Sequence, residues 1–268
     1  MAFDVPPDTL FCKEYAMKPI AVQLYTVREA CAEDFIGTLK RVADIGYKGV
    51  EFAGLHGFKA DEIAKVIADL GMVTCSSHTA LPTAETLSKI VEQEQTLGNK
   101  RIISGVGGDL LKTEDGCKRA AEMLNAAAEL VKPFAMEVGY HNHWWEFDPK
   151  IGDRTPHEIM FSQAADNVFA EIDVYWVATG NCDPVEVISS MTDRVPLLHI
   201  KDGPLVKGEP HTAVGAGALD MHAIIAAADP SVLDWLIIEL DDCATDMMEA
   251  TAQSYTYLTA EGLAEGNK

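Results

Sequence analysis

The sequence has no C-x-x-C pair. Its six cysteines (Cys12, Cys31, Cys75, Cys117, Cys182 and Cys243) are scattered through 268 residues. That argues against a zinc ribbon and against a small disulfide scaffold, and reduced thiols in a cytoplasm are the expectation. Basic residues are scarce: 21 Lys and Arg stand against 42 Asp and Glu, a formal charge of −21. Such a balance opposes the sequence-independent attraction to phosphate backbones and anionic lipid, so neither nucleic acid nor membrane is expected as a partner. A small anionic substrate is not excluded, because a local site can be positive within an acidic surface. No stretch is long and apolar enough to span a bilayer. The opening M-A-F-D-V-P-P-D-T-L-F has no basic region followed by an apolar run, so it does not read as a signal peptide.

What the chain does have is apolar residues (48%) arranged in alternating strand-like and helix-like stretches. The strand readings are Ile20–Tyr25, Lys48–Phe52, Met72–Ser77, Arg101–Ser104, a run through Phe134–Val138, Val168–Asp173, Pro196–Lys201 and Trp235–Leu240. Between them lie helix signals. Asp34 caps a helix that Gly46 ends, Asp61–Leu70 stops at Gly71, and Thr83 opens a helix closed by Gly98. Thr113 starts another that runs to Val131, with Glu114 and Asp115 in its first turn. Pro156 and Pro184 follow capping residues, a helix spans Leu219 to Ala228, and Asp246 with Glu249 opens the last.

These are eight strand–helix units, each about 30 residues long, as expected of βαβ repeats. Alternation of this kind implies a parallel sheet, and eight units in about 250 residues match a closed α/β barrel. An open doubly wound sheet is the alternative. No G-x-G-x-x-G follows the first strand, which removes its commonest motive. The expected architecture is a single-domain (β/α)8 TIM barrel over residues 1–268, with an irregular leader to about residue 18 and a frayed tail over 264–268.

Polar residues gather at the strand ends. The stretch G-Y-H-N-H-W-W-E-F (Gly139–Phe147) ends the fifth strand, and F-A-E-I-D-V-Y-W, L-L-H-I-K-D-G and L-I-I-E-L-D-D end the sixth, seventh and eighth. In a barrel of this kind the chemistry sits at those ends. Alternation puts Glu171 with Asp173 on one face, His199 with Lys201, and Ile237 with Glu239. Tyr140, Asn142 and Glu146 fall together if the fifth strand stays regular. Glu146, Asp173, His199 and Glu239 would then offer three carboxylates and an imidazole, which cannot all be buried ionised without a cation. Oxygen-rich ligation with one nitrogen suits Mn2+ or Mg2+, with Co2+ or Zn2+ also compatible.

At these residues the chain resembles the sugar phosphate isomerase/epimerase superfamily of xylose-isomerase-like barrels, whose relatives include inosose dehydratases, ketose 3-epimerases and endonuclease IV. The resemblance runs from A-V-Q-L-Y-T-V-R to I-I-E-L-D. H-N-H-x-x-E-F, E-I-D-V-Y-W and H-I-K-D-G in this order carry it together. It implies one divalent metal held by Glu146, Asp173, His199 and Glu239, with Glu146 and Glu239 doubling as the acid and base. The implied activity is isomerisation or epimerisation of a keto-sugar through a metal-stabilised enediolate. The same α-proton abstraction followed by loss of a leaving group would make a dehydratase or lyase. An endonuclease would need a basic surface, which the charge opposes; a non-catalytic sugar-binding barrel is the remaining reading. Lys201, His78, Glu51, Asn142, His143, Trp176 and His211 are candidates for binding the carbohydrate. The glycine-rich Gly215–Asp220 lies where many barrels bind phosphate. Related barrels often pair, so a homodimer or homotetramer is expected.

Overall fold

A computed structural model describes residues 17–191 and 193–268 of the chain. The expected leader falls outside the described residues except at its end, where the first strand already begins at Lys18.

Eight parallel strands close on themselves: β1 (Lys18–Gln23), β2 (Gly49–Phe52), β3 (Val73–His78), β4 (Arg101–Ser104), β5 (Glu137–His141), β6 (Val168–Asp173), β7 (Leu197–Ile200) and β8 (Trp235–Ile238). Each pairs with its successor, and β8 pairs with β1. The fold is a TIM barrel. Its outer layer consists of α1 (Arg28–Ile45), α2 (Ala60–Asp69), α3 (Leu87–Thr96), α4 (Glu114–Val131), α5 (Pro156–Phe161), α6 (Val174–Thr179), α7 (Pro184–Ser189), α8 (Met221–Ala226) and α9 (Met247–Ala260). Among the described residues no helix is long and apolar enough to cross a membrane.

The core has two compartments. The larger lies between sheet and helices, with Val22, Val50, Val138, Ile172 and Leu198 pointing outward against Leu39, Leu124 and Leu258. The smaller fills the lower barrel interior with Ala21, Cys75, Ile103, Phe169, Leu197 and Ile237. Gly139 belongs to this interior layer. A Cβ there would lie 2.2 Å from the Phe169 ring, so the ring occupies the volume that a side chain on β5 would need.

Several expected boundaries move, each for a local reason. Asp34 does cap a helix: its Oδ1 accepts from the Gly37 amide at 2.8 Å. The chain before it is already helical, so α1 runs through a break at Asp34, where φ is −149°. α3 starts at Leu87, because Thr83 to Thr86 form a separate turn. α6 follows β6 with no breaker between them; Asp173 is at once the last strand residue and the cap, accepting from the Trp176 amide at 2.9 Å.

β5 lies three residues later than the apolar run Phe134–Val138 suggests. Lys132–Phe134 continues α4 as a 3-10 turn, and Ala135 reverses the chain with φ of 55° before the strand begins. The tail does not fray. Ala264–Glu265 forms a short strand, β9, on β1, and Asn267 donates its amide to the Gly46 carbonyl at 2.7 Å.

Candidate metal centre

Above the apolar plug the barrel interior turns polar. Inward-facing positions bring in Gln23 from β1, Glu51 from β2, His78 from β3, His141 from β5, Glu171 and Asp173 from β6, and His199 from β7. Lys201 and Glu239 follow directly after β7 and β8. Register explains the company: His141 pairs with Glu171, Asp173 with His199, and His199 with Ile237. Glu51, Glu171, Asp173, His199 and Lys201 are fully buried. The His78 side chain is 26% exposed and opens toward the mouth.

His199 divides this layer into two groups whose donor atoms lie close enough to share an ion. One is His141, Asp173, His199 and Glu239; the other is Glu51, His78, Glu171 and His199. The Nδ1 of His199 lies 3.0 Å from Glu239 Oε2, and its Nε2 lies 2.7 Å from Glu51 Oε1 and 3.2 Å from Glu171 Oε2. Glu51 also accepts from Gln23 at 2.6 Å and from Ser76.

The first group fits a cation better. His141 Nε2 is buried and, among the described residues, has no hydrogen-bond partner, and Asp173 Oδ2, also buried, is met by the Lys201 ammonium at 2.9 Å. His141 Nε2 is 3.6 Å from Asp173 Oδ2 and 3.6 Å from Glu239 Oε2. That is too long for hydrogen bonds. It is close to the separation of about 3.4 Å between two ligands each about 2.1 Å from one tetrahedral ion. In the second group Glu171 Oε1 is likewise buried without a hydrogen-bond partner among the described residues, but Glu51 is already saturated by Gln23, Ser76 and imidazole donors.

Electrostatics agree. Asp173, Glu239 and Asp241 crowd one ammonium, Lys201, whose Nζ lies 2.9 Å from Asp173, 2.9 Å from Glu239 and 2.7 Å from Asp241. Burial alone would lower the Lys201 pKa, but these carboxylates carry it well above its ordinary value. Glu51 and Glu171 face His78 and His199 instead. His199 is buried, but Glu171, Glu51 and Glu239 carry its pKa well above the ordinary value. Burial would raise Asp173, yet the Lys201 charge holds it at about 2. Burial likewise raises Glu171, and the neighbouring Glu51 charge adds to the rise. His78 is desolvated, but Glu51 and Glu171 lift it to about 10. His141 is pushed down to about 3 by burial and by the facing His199, which leaves its imidazole neutral and free to ligate. The layer is short of positive charge, and a divalent cation would supply it.

Three of the four expected ligands, Asp173, His199 and Glu239, come together. Glu146 does not. β5 ends at His141, and Trp144–Glu146 coils into a 3-10 turn that aims Glu146 out of the barrel. Its carboxylate accepts from the Tyr140 hydroxyl at 2.6 Å and the His143 amide at 2.9 Å, fully buried. His141 completes the cluster instead. The signal was present in alternation: with Tyr140 facing the helices, His141 must face inward.

Among the expected carbohydrate-binding residues, Lys201, His78 and Glu51 join the polar layer. Asn142 instead joins β5 to β6 through both its amide groups, bonding the Asp173 backbone at 3.0 and 3.2 Å. His143 stacks on Trp145, and Trp176 lies 4.9 Å from Lys201 Nζ. His211 is buried beside Tyr175 and accepts the Asp241 amide at 3.2 Å. The glycine-rich loop is not a vacant phosphate cradle. Its amides at Gly215, Gly217 and Leu219 donate to the buried carboxylate of Asp202. Two acids that shape the site lie outside the expected set. Alternation places Glu171 beside Asp173 without giving it a role, and no local signal marks Asp202 as the partner of that loop.

A closed (β/α)8 barrel with a buried cluster of two imidazoles and two carboxylates at its C-terminal mouth defines a class: barrels with a candidate divalent-cation centre. The chain belongs to the xylose isomerase-like TIM barrel family, whose model matches residues 39–260. Among solved structures, it is similar to a sugar phosphate isomerase/epimerase from Parabacteroides distasonis ATCC 8503. That protein is 24% identical over 97% of this chain and 100% of the other, with a TM-score of 0.75. It is also similar to an L-ribulose 3-epimerase (19% identity, 92% and 95% covered, TM-score 0.68). A third is the IOLI protein with a bound zinc atom (15%, 92% and 98%, TM-score 0.70). At these identities the likeness establishes the fold. No curated protein matches the sequence.

Proposed function

We propose that this chain is a divalent-metal-dependent isomerase or epimerase of a keto-sugar, with His141, Asp173, His199 and Glu239 as the metal ligands. The observation that carries the reading is the convergence of a buried imidazole nitrogen without a hydrogen-bond partner among the described residues, His141 Nε2, with Asp173 Oδ2 and Glu239 Oε2, two carboxylate oxygens that share the Lys201 ammonium. A two-nitrogen, two-oxygen set suits manganese, cobalt or zinc and disfavours magnesium. Bound there, the ion supplies Lewis-acid polarisation of a substrate carbonyl and its neighbouring hydroxyl.

The chain's own residues supply the rest. With His199 Nδ1 on the ion, its Nε2–H donates to Glu51, which fixes the ring's tautomer and orientation. Glu239, held ionised because Lys201 and His199 outweigh its burial, takes the proton from the carbon beside the carbonyl. Glu171 stands across the His199 ring from Glu239, so the two carboxyls address different sides. Glu171 returns a proton through His78, whose Nε2 lies 2.8 Å away and reaches the mouth. Lys201 donates to the substrate oxygen that gains charge.

The test is solvent deuterium incorporation at the α-carbon of a panel of ketoses and ketose phosphates, followed by NMR with manganese-loaded protein. Wild type is expected to exchange, and Glu239→Gln and Asp173→Asn to lose exchange. Absence of exchange across the panel in protein shown to hold metal would sink the reading. An ultraviolet-absorbing enone in place of exchange would move the assignment to elimination on the same scaffold.

A further inference from the structure

One buried imidazole beside the centre takes no part in the steps above. His211 lies on the loop between β7 and α8, with its side chain 3% exposed. Three bonds fasten it to the segment after β8. Its amide donates to Asp242 Oδ1 at 3.4 Å, its carbonyl accepts from the Ala244 amide at 3.1 Å, and its ring Nδ1 accepts from the Asp241 amide at 3.2 Å. Tyr175 and Trp176 meet the ring edge-on, at centroid distances of 4.6 and 5.5 Å. Turning the ring over would set a carbon against the Asp241 amide and leave that donor unpaired.

The bond to Asp241 decides where the ring carries its proton. A backbone N–H can only donate, so Nδ1 is the bare nitrogen and Nε2 bears the hydrogen. Burial and then the Lys201 charge lower the pKa of His211, against the raising effect of Asp241, Asp173 and Asp242. The ring is therefore neutral and has a single N–H to give. With Nδ1 turned to the segment after β8, Nε2 points away from it. Among the described residues no atom accepts from Nε2, and it is not one of the fully buried polar atoms left without a partner, so it stays reachable.

Asp241 ties this donor to the centre. Its Oδ2 lies 2.7 Å from Lys201 Nζ, so one residue orients the ammonium through its side chain and the imidazole through its amide. Trp176 borders both groups: its ring lies 4.9 Å from Lys201 Nζ and 5.5 Å from the His211 ring. Lys201 in turn touches Asp173 and Glu239, two of the proposed ligands. The Asp241 side chain is 39% exposed, so the group opens to solvent there. An ammonium and an imidazole N–H held by one aspartate and one indole make a pair of donors beside the proposed ligands.

We infer that His211 is a catalytic residue whose Nε2–H donates, together with Lys201, to the substrate oxygen that gains charge as the α-proton leaves. The inference rests on the keto-sugar reading of the centre and adds a second donor to it. No proton leaves His211: it supplies a hydrogen bond, already aimed before the reaction, where negative charge develops. Asp241 is the positioning residue for both donors.

Two amide replacements separate donation from structural support. The Asn amide reaches the position of Nδ1, so His211→Asn keeps an acceptor for the Asp241 amide and loses the donor. The Gln amide reaches the position of Nε2, so His211→Gln keeps a donor there and gives up the bond to Asp241. Deuterium exchange into the ketose panel is measured on the full-length, manganese-loaded protein, with kcat and KM separated and metal content checked. His211→Asn should lower kcat by roughly 10²–10³-fold, the usual cost of one such donor, and His211→Gln should recover much of it at unchanged metal content. The reverse order, or a loss confined to KM, would show that His211 only holds the loop and would overturn the inference. Histidine 15N NMR of the wild type at pH 7 reads the tautomer without turnover, and serves if either variant misfolds. The neutral Nε2–H form is expected, and an Nδ1–H form or an imidazolium would overturn the inference. Failure of the keto-sugar reading looks different: metal-loaded wild type would exchange nothing, and the donor role would fall with it.

Discussion

Replacing His141 with alanine should remove one of four metal donors, and replacing Glu146 with glutamine should not. A four-ligand zinc site is worth on the order of 10–16 kcal/mol, so an even share per ligand is roughly 2.5–4 kcal/mol. That corresponds to a loss of about two to three orders of magnitude in metal affinity. The Glu146 carboxylate stands apart from that group, bonded to the Tyr140 hydroxyl and the His143 amide. A carboxamide of the same shape keeps one oxygen to accept from the His143 amide, and its NH2 can donate to a Tyr140 hydroxyl turned round to accept, so Glu146→Gln should cost only about 1–2 kcal/mol of folding stability through loss of charge assistance. Metal affinity would be measured by competition with a chromophoric chelator for manganese and zinc, and stability by urea unfolding of the same preparations. If Glu146→Gln weakens metal binding as much as His141→Ala, or His141→Ala binds as wild type, then His141 is not the fourth ligand and the set must be redrawn.

Two further predictions concern stability away from the centre. His157, stacked between Phe147 and Phe161, is held down to about 3 by burial and by the Arg194 charge. The unfolded chain, with an ordinary histidine near 6.5, therefore binds the extra proton between those values. Its contribution is complete above pH 6.5 and falls by about 1.4 kcal/mol per unit as pH drops toward 3. His157→Phe should make the acid limb of the urea-measured stability curve shallower by one proton, and an unchanged slope would contradict this. Gly139→Val should destabilise the barrel by at least about 1–3 kcal/mol, because its Cβ falls on the Phe169 ring. Adding Phe169→Ala should recover part of that loss in thermal unfolding, whereas strictly additive effects would show that the two positions do not compete for space.

Much of the architecture was legible because local signals sufficed for it. β4, β6 and α4 fall where apolar runs and the Thr113 cap put them. Pro156, Pro184 and Asp246 mark the starts of α5, α7 and α9 as expected. The misplacements occur where one segment's ending depends on another's packing. Phe134 is apolar and reads as strand, yet it closes a 3-10 turn and is exposed, so β5 begins later than its composition suggests.

That shift of three residues accounts for the difference at the candidate centre. Alternation along β6, β7 and β8 was enough to turn Asp173, His199 and Glu239 toward the axis, since each lies within or directly beyond a regular strand. On β5 the same rule selects His141 only once the strand's end is known, and Glu146 lies on a coil that alternation does not describe. The bond of His199 to Glu51, 148 positions away in the chain, and its stacking on His78 arise from closure of the sheet, which sets β2, β3, β6 and β7 around one axis. Likewise only the folded chain shows that the glycine-rich loop's amides are held by Asp202. The sequence by itself determined the barrel and the acid-rich strand ends, because periodicity and caps act within a few residues. Tertiary structure decided which of those side chains share a volume, because burial of a charge depends on everything that surrounds it.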